Sequence, residues 1–380
     1  MRYLDTDTAK RISKIGLGTW QFGSKEWGYG ERYSDRTAAA IVRRAIELGV
    51  TLFDTAEIYA GGRSERILGR ALGGDREPAF IATKIFPVTP GGPMVRRRAR
   101  ASAARMGASW LDLYQVHCPN PLGDDRTMMK GMRSLQRSGL VGEVGVSDYS
   151  LARWRAAEHA LGRRVLSNQV QYSRVSGAPE SDLLPFAREQ GRVIIAFSPL
   201  AHGLLSGRYH DATDLGNRVR ATSSYFGPES FARTGQLVKV LREVAAAHSA
   251  TPAQIALAWV IQHPAVAAIP GASSVEQMEA NAAATEIQLA RDEDRALRAA
   301  SWWSRETAVP PSPLSRDLSQ LRHCARGVPY LTRTAWHDFQ HRTGAVPCGC
   351  RISCQPMRPG HIRGSDGRAG PAAGPGHSGP

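Results

Sequence analysis

Lysine is almost absent from this 380-residue chain: six Lys stand against 43 Arg, so arginine carries nearly all the positive charge. Long hydrophobic runs are missing too. The longest, IALAWVI at 255–261, is far short of the roughly 18 apolar residues a membrane-crossing helix needs. The N-terminal MRYLDTDTAKRISKIG has no apolar core of a secretory signal, so the expectation is a cytoplasmic protein without a membrane partner. No G-x-G-x-x-G is present in the expected setting. GLGTWQ at 16–21 has Gln21 where the last glycine belongs, so a Rossmann module is not indicated. Near His117 no second histidine or carboxylate pair stands at ligand spacing, which argues against a metal hydrolase and for no metal site in the core.

What is present is ordinary for a globular chain: 42% hydrophobic and 22% charged residues. The formal charge of +15 divides into +6 for residues 302–380, which hold ten Arg and four acids, and +9 for residues 1–301. No nucleic-acid-binding motif accompanies it, and VRRRAR at 95–100 is the one basic run that invites a test; solvated helix faces explain the rest. Cys118 is the only cysteine in residues 1–301, whereas Cys324, Cys348, Cys350 and Cys354 lie beyond, in sequence ending GRAGPAAGPGHSGP. Cys348, Cys350, Cys354 and His361 are zinc-type ligands, but their spacing matches no standard knuckle pair. The Gly/Pro-rich composition reads as a disordered extension. The domain expectation is therefore a folded unit over 1–301 followed by a disordered tail over 302–380.

Within 1–301, short apolar runs alternate with helical periodicity. Strands are expected at 15–19, 51–54, 80–84, 111–117, 141–147, 167–172, 192–197 and 265–270. Helices are expected near 36–48, 64–72, 93–106, 127–138, 150–161, 180–190, 235–247, 251–263 and 274–284. The first shows Ala38, Ile41, Val42, Ala45 and Ile46 on one face, with Asp35 as N-cap and Gly49 as stop. Ser64 is expected to cap the second, and Gly73-Gly74 to end it. Eight β–α alternations in about 300 residues fit an α/β class closed parallel barrel, the (β/α)8 TIM barrel, better than an open sheet. The N-terminal RYLDTDTAKRISKI suits a β-hairpin plugging its bottom.

In such barrels chemistry sits at the C-terminal strand ends. Asp54, Lys84, His117 and Ser147 fall there, 30, 33 and 30 residues apart, and Tyr59 lies in the loop after the second strand. Singly, each has a plain structural explanation: a loop cap, a packing phenol, a solvated charge. Together they suggest a proton donor. A free tyrosine, with a pKa near 10, holds its proton tightly at neutral pH, and an ammonium within about 4–6 Å stabilises the phenolate. Asp54 would hold Lys84, and His117 would orient a substrate oxygen toward Tyr59. Such a group could protonate oxygen as charge develops during carbonyl reduction.

The stretches GVTLFDTAEIYAGGRSERILGRAL, FIATKIF, LDLYQVHCPNPL, GEVGVSDYS, NQVQYS, AFSPLAHGLLSGRY and IPGASSVEQMEANAA resemble the aldo-keto reductase family in order and spacing. The likeness is to the bacterial NADP-dependent branch that is similar to potassium-channel beta subunits. The resemblance implies hydride transfer from NADP(H) to an aldehyde or ketone, with NAD(H) open, in a monomer with no nucleic-acid partner. The alternative it carries is a nicotinamide-binding regulatory subunit with little turnover. By the same resemblance Tyr59 is the general acid, Lys84 and Asp54 tune it, and His117 positions the carbonyl. The cofactor-binding set is Gly18, Thr19, Trp20 and Asp54 near the first strands, then Ser147, Asp148 and Gln169 at the nicotinamide amide. Phe197 stacks on the ring, Ser198, Pro199, Leu200, Gly203 and Leu205 wrap the pyrophosphate, and Gly271, Ser273, Gln277 and Asn281 hold the adenosine end. Asp148 stands where Asn is common, Phe197 where Tyr or Trp is frequent, Ser274 where many relatives carry Arg and Ala280 where Glu often contacts adenine. The missing Arg weakens strict NADP selectivity, since a 2′-phosphate favours a cation. Trp20, Trp27, Tyr29, CPNPL and the loop 206–234 would shape the substrate pocket.

Overall fold

Successive strand residues point to opposite faces, and in this chain both faces are apolar because both are covered. A computed structural model describes residues 1–87, 91–120, 125–209, 215, 218–221 and 223–301. The chain divides into two compact units, Met1–Pro329 and Tyr330–Pro380, and every described residue belongs to the first. The tail expectations, including Cys348, Cys350, Cys354 and His361, lie outside the described residues.

Eight strands pair in parallel in chain order. They are β1 (Leu17–Gly18), β2 (Leu52–Asp54), β3 (Phe80–Ile85), β4 (Leu111–Val116), β5 (Val141–Ser147), β6 (Ser167–Gln171), β7 (Val193–Phe197) and β8 (Val266–Ala268). The ring closes where Gly16 N donates to Ala268 O (2.8 Å), Ala268 N to Lys14 O (2.8 Å) and Gly18 N to Pro270 O (3.1 Å). Gly18 is needed at this seam, since a Cβ there would lie 2.7 Å from Ile269 O. The expected strand at 15–19 shortens to two residues, with Ile15 and Gly18 joined to Ala268 and Gly271 only by isolated bridges.

Helices α1 (Asp35–Glu47), α2 (Arg63–Leu72), α3 (Gly91–Arg105), α4 (Arg126–Arg137), α5 (Leu151–Leu161) and α6 (Leu183–Glu189) follow the first six strands. After β7 come α7 (Arg218–Ala221), α8 (Pro228–Ala247) and α9 (Pro252–Ile261); after β8 come α10 (Val275–Ala283) and α11 (Arg291–Ala299). Two expected caps differ. Ser34, not Asp35, is the N-cap of α1, and Gly62, at φ 78°, is the N-cap of α2. Ser64 instead turns its hydroxyl inward. Helix α11 was not anticipated, because only Leu297 of its nine residues is buried. Among the described residues no single helix is long and apolar enough to cross a membrane; α8 and α9 reach that length and composition only when joined across a 92° bend.

One face of the strands forms the barrel interior. Leu52, Phe80, Leu113, Leu166, Val193, Ile195 and Ala267 meet there with Leu4 and Ile12 from the N-terminal hairpin. That hairpin is held by Leu4 N to Ile12 O (2.8 Å) and Lys14 N to Arg2 O (2.9 Å), and plugs the bottom as the sequence suggests. The other face packs under the helices, with Phe53, Ile81, Tyr114, Val144 and Ile194. The period of two then fixes what rises above the plug. Counting up the inward face gives Leu52–Asp54 on β2, Phe80–Ala82–Lys84 on β3, Leu113–Gln115–His117 at β4 and Val193–Ile195–Phe197 on β7. The strand register sets them side by side, pairing Gly18 with Asp54, Lys84 with Gln115 and Ser147 with Gln169.

Candidate active site

Asp54 and Lys84 end their inward rows at the same height, 2% and 0% exposed. Lys84 Nζ donates to Asp54 Oδ1 at 2.5 Å, to Thr55 O at 2.9 Å and to the Tyr59 hydroxyl at 3.2 Å. These three bonds account for all its protons. Gln169 Nε2 donates to the other Asp54 oxygen at 2.6 Å. Burial pulls Lys84 below the ordinary lysine range, with Asp54 opposing. Burial also pushes Asp54 above the usual carboxylate range, with Lys84 and Gln169 opposing. The His117 ring stands edge-on to Tyr59, with centroids 5.6 Å apart and planes at 83°.

Tyr59 is placed by a loop tied down on both sides. Its amide donates to Ala56 O at 3.1 Å, and beyond it Ala60, Gly61 and Gly62 all take positive φ, turning the chain sharply into α2. Upstream, Glu57 accepts from Phe86 N at 2.7 Å and pairs with Arg98 of α3. Arg98 belongs to the basic run at 95–100, so part of that run is a scaffold element. Under the loop, Ser64 Oγ donates to Thr19 O (2.8 Å) and meets the hydroxyls of Thr19 (2.8 Å) and Thr55 (3.0 Å).

From this corner a cleft of about 700 Å³ extends across the barrel mouth. Asp54, Tyr59, His117, Ser147, Asp148, Gln169 and Phe197 line one end. Ser198, Pro199, Leu200 and Gly203 line its middle, and Gly271, Ser273, Gln277 and Asn281 line the far end, with Gly18 and Trp20 along one wall. Thr19 and Leu205 are fully buried and do not line it; Thr19 Oγ1 is committed to Asp54 O at 2.8 Å. Lys84 also lies behind the wall, reaching the cleft only through Tyr59.

The mouth is aromatic. Trp20 and Trp27 meet edge-to-face at 5.3 Å, His202 lies 6.0 and 5.9 Å from them, and Arg220 sits over Trp27 at 5.6 Å. Tyr29 instead turns inward against Tyr33 and bonds Asp35. Pro121 and Leu122 of CPNPL, and much of the segment between 210 and 222, lie outside the described residues. Gln21, Arg32, His202, Arg208 and Arg220 line the cleft without having been singled out. Of these, His202 stood inside the segment SPLAHGLLSG, and its left-handed φ of 57° is what a sharp turn after β7 demands.

A sequence model described as the Aldo/keto reductase family matches residues 14–301. The chain belongs to the aldo/keto reductase family. It is 54% identical over 300 residues to an uncharacterized oxidoreductase of Mycobacterium tuberculosis, covering 78% of this chain and 92% of that one. It is 34% identical over 284 residues to the methylglyoxal reductase YeaE of Escherichia coli, covering 74% and 88%. Among solved structures, an aldo/keto reductase from Klebsiella pneumoniae in complex with NADP and acetate is 29% identical, with a TM-score of 0.62, covering 78% of this chain and 93% of that one. The aldo/keto reductase barrel expected from the sequence is the fold observed, and the chain is an oxidoreductase by family.

The cleft also fits a dinucleotide on its own terms. Its Tyr59 end offers an aromatic face, Phe197, beside polar strand ends. The turn after β7, with positive φ at Ser198, Ala201, His202 and Gly203, brings backbone to the middle. At the far end α10 presents its N-terminus, a favourable setting for an anionic group. Among the described residues no group of three or more His, Cys, Asp or Glu is arranged to hold a metal ion.

Proposed function

We propose that this protein is an NADP(H)-dependent carbonyl reductase in which Tyr59 donates the proton. The observation that carries the reading is the 3.2 Å contact between the Tyr59 hydroxyl and an ammonium that is itself fully buried against Asp54. Phe197, Ser147, Asp148 and Gln169 would hold the nicotinamide end of the cofactor, which when bound would supply the hydride. His117 and Tyr59 converge on the substrate oxygen and orient it. Tyr59 gives its proton to that oxygen as negative charge develops, and Lys84 stabilises the phenolate left behind. Asp54 holds the amine in place. The aromatic mouth favours flat or apolar carbonyl compounds, and the similarity to a methylglyoxal reductase adds small α-oxoaldehydes. We assign this activity to residues 1–301 and none of it to the tail.

The test is titration with NADPH and NADH, followed by turnover on a panel of aromatic aldehydes, methylglyoxal and sugars. Tyr59→Phe should lower kcat by about 10²–10⁴-fold while NADPH binding, read by quenching of Trp20 and Trp27, persists. Unchanged reductase rates in that variant would refute the assignment of the acid. Tight NADPH retention with no turnover on any carbonyl would favour the regulatory-subunit alternative.

A further inference from the structure

At the β5–β6 end of the cleft, the serine hydroxyl and one of the two Gln169 N–H groups are already engaged. Ser147 Oγ donates to Gln169 O at 2.9 Å, and Gln169 Nε2 donates to Asp54 Oδ2 at 2.6 Å. What these two side chains still offer is mostly acceptors, the serine lone pairs and Gln169 Oε1, with the second Gln169 N–H as their one remaining donor.

Asp148 follows in the chain. Its backbone is left-handed (φ 57°), anchored by its own N–H to Gln169 O at 2.9 Å, and its side chain lines the cleft. Among the described residues its carboxyl has neither a hydrogen-bond nor an ion-pair partner. The charged and titratable groups around it are engaged elsewhere. Asp54 of β2 binds Lys84 and Gln169, and Lys84 of β3 binds Asp54 and Tyr59. His117 after β4 packs on Tyr59, Tyr149 is buried, and Arg153 of α5 turns away to Asp125 at 2.7 Å. The pocket therefore gives this carboxyl no cation, and burial pushes its pKa up to about 7.

A primary carboxamide brings two N–H donors and one carbonyl oxygen. The acceptors of Ser147 and Gln169 can take the N–H groups. The oxygen requires a donor, and an ionised Asp148 would set a second acceptor against it, a mismatch that costs about as much as a buried polar group left unpaired.

We propose that Asp148, as a neutral carboxylic acid, donates the hydrogen bond to the carboxamide oxygen of the nicotinamide, so that cofactor binding takes up one proton. This rests on the reading of the cleft given above. Its sign follows from mass action. Below pH about 7 the free protein already carries the proton, and affinity is flat. Above it, the carboxylate must first be protonated, and affinity falls toward tenfold per pH unit.

The experiment is NADPH binding by calorimetry at pH 8.5 in buffers of different ionisation enthalpy, and by fluorescence from pH 6 to 9, for the wild type and Asp148→Asn. Asn tolerates the left-handed backbone and carries a permanent N–H donor. The wild type should take up close to one proton at pH 8.5, and its Kd should rise on the order of tenfold from pH 7 to 8.5. The variant should take up none through this group. Titration of the cofactor's own 2′-phosphate is common to both and cancels in the difference. Equal proton uptake and parallel pH profiles would overturn the role of Asp148 while leaving the cofactor cleft standing. Failure of both proteins to bind NADPH at any pH would remove the cleft reading and this proposal with it.

Discussion

Lys84 is the most demanding residue in the molecule. A fully enclosed ammonium is tolerated only because Asp54, Thr55 O and the Tyr59 hydroxyl occupy its three donors. Lys84→Met should lower stability by about 3 kcal/mol, chiefly by leaving Asp54 buried and unpaired. In urea unfolding, the double variant Asp54→Asn/Lys84→Met should recover a good part of that loss while remaining inactive. Equal stabilities for the single and double variants would show that an unpaired Asp54 is not the source of the loss. Reductase turnover should also fall as pH rises, and because burial depresses the Lys84 pKa, the fall should begin below the range of an ordinary lysine. These residues were legible in the sequence because their types are rare in combination and fall at strand ends. The burial of Thr19 was not legible: nothing in GLGTWQ says that its hydroxyl turns away from the cleft onto Asp54 O.

At the scale of elements, the eight strands were visible because each is a short apolar run buried on both faces. The caps were harder, since Ser34 and Asp35 are both good N-cap types and Ser64 has stronger partners inside the fold. The link from Glu57 to Arg98 had no sequence signal, because the two are 41 positions apart on different elements. It has a measurable role nonetheless. Glu57 ties the Tyr59 loop to Phe86 N and to α3, so Glu57→Ala should loosen the phenol. We expect kcat to fall by roughly tenfold to a hundredfold, as for a displacement of about 1 Å, with little change in NADPH affinity. Equal losses in kcat and in cofactor affinity would point instead to collapse of the whole rim.

For the molecule as a whole, the N-terminal plug introduces a pH dependence separate from the active site. Lys14 Nζ donates to Ile261 O (2.8 Å) and His263 O (2.7 Å) at the end of α9. Burial, with a smaller contribution from Arg2, lowers its pKa from 10.5 to about 8. Between these values the unfolded chain holds the extra proton, so this group makes stability rise with pH, by up to about 1.4 kcal/mol per unit. Comparing urea midpoints of wild type and Lys14→Met at pH 8 and pH 10 should reveal a slope that only the wild type has; identical slopes would discard it. The alternation of elements was enough to anticipate the barrel and its hairpin, whereas the shape of the mouth depends on loops whose turns follow from packing that no periodicity encodes.

The enclosure of Lys84 bears on self-inactivation. Aldehydes condense with accessible amines to form imines, yet under the proposed function a carbonyl carbon entering this site would meet a phenol and an imidazole while the amine stays walled off, its three donors bound. A chain with only five other lysines, one of them, Lys14, also buried, would offer a reactive aldehyde few amines with which to form imines.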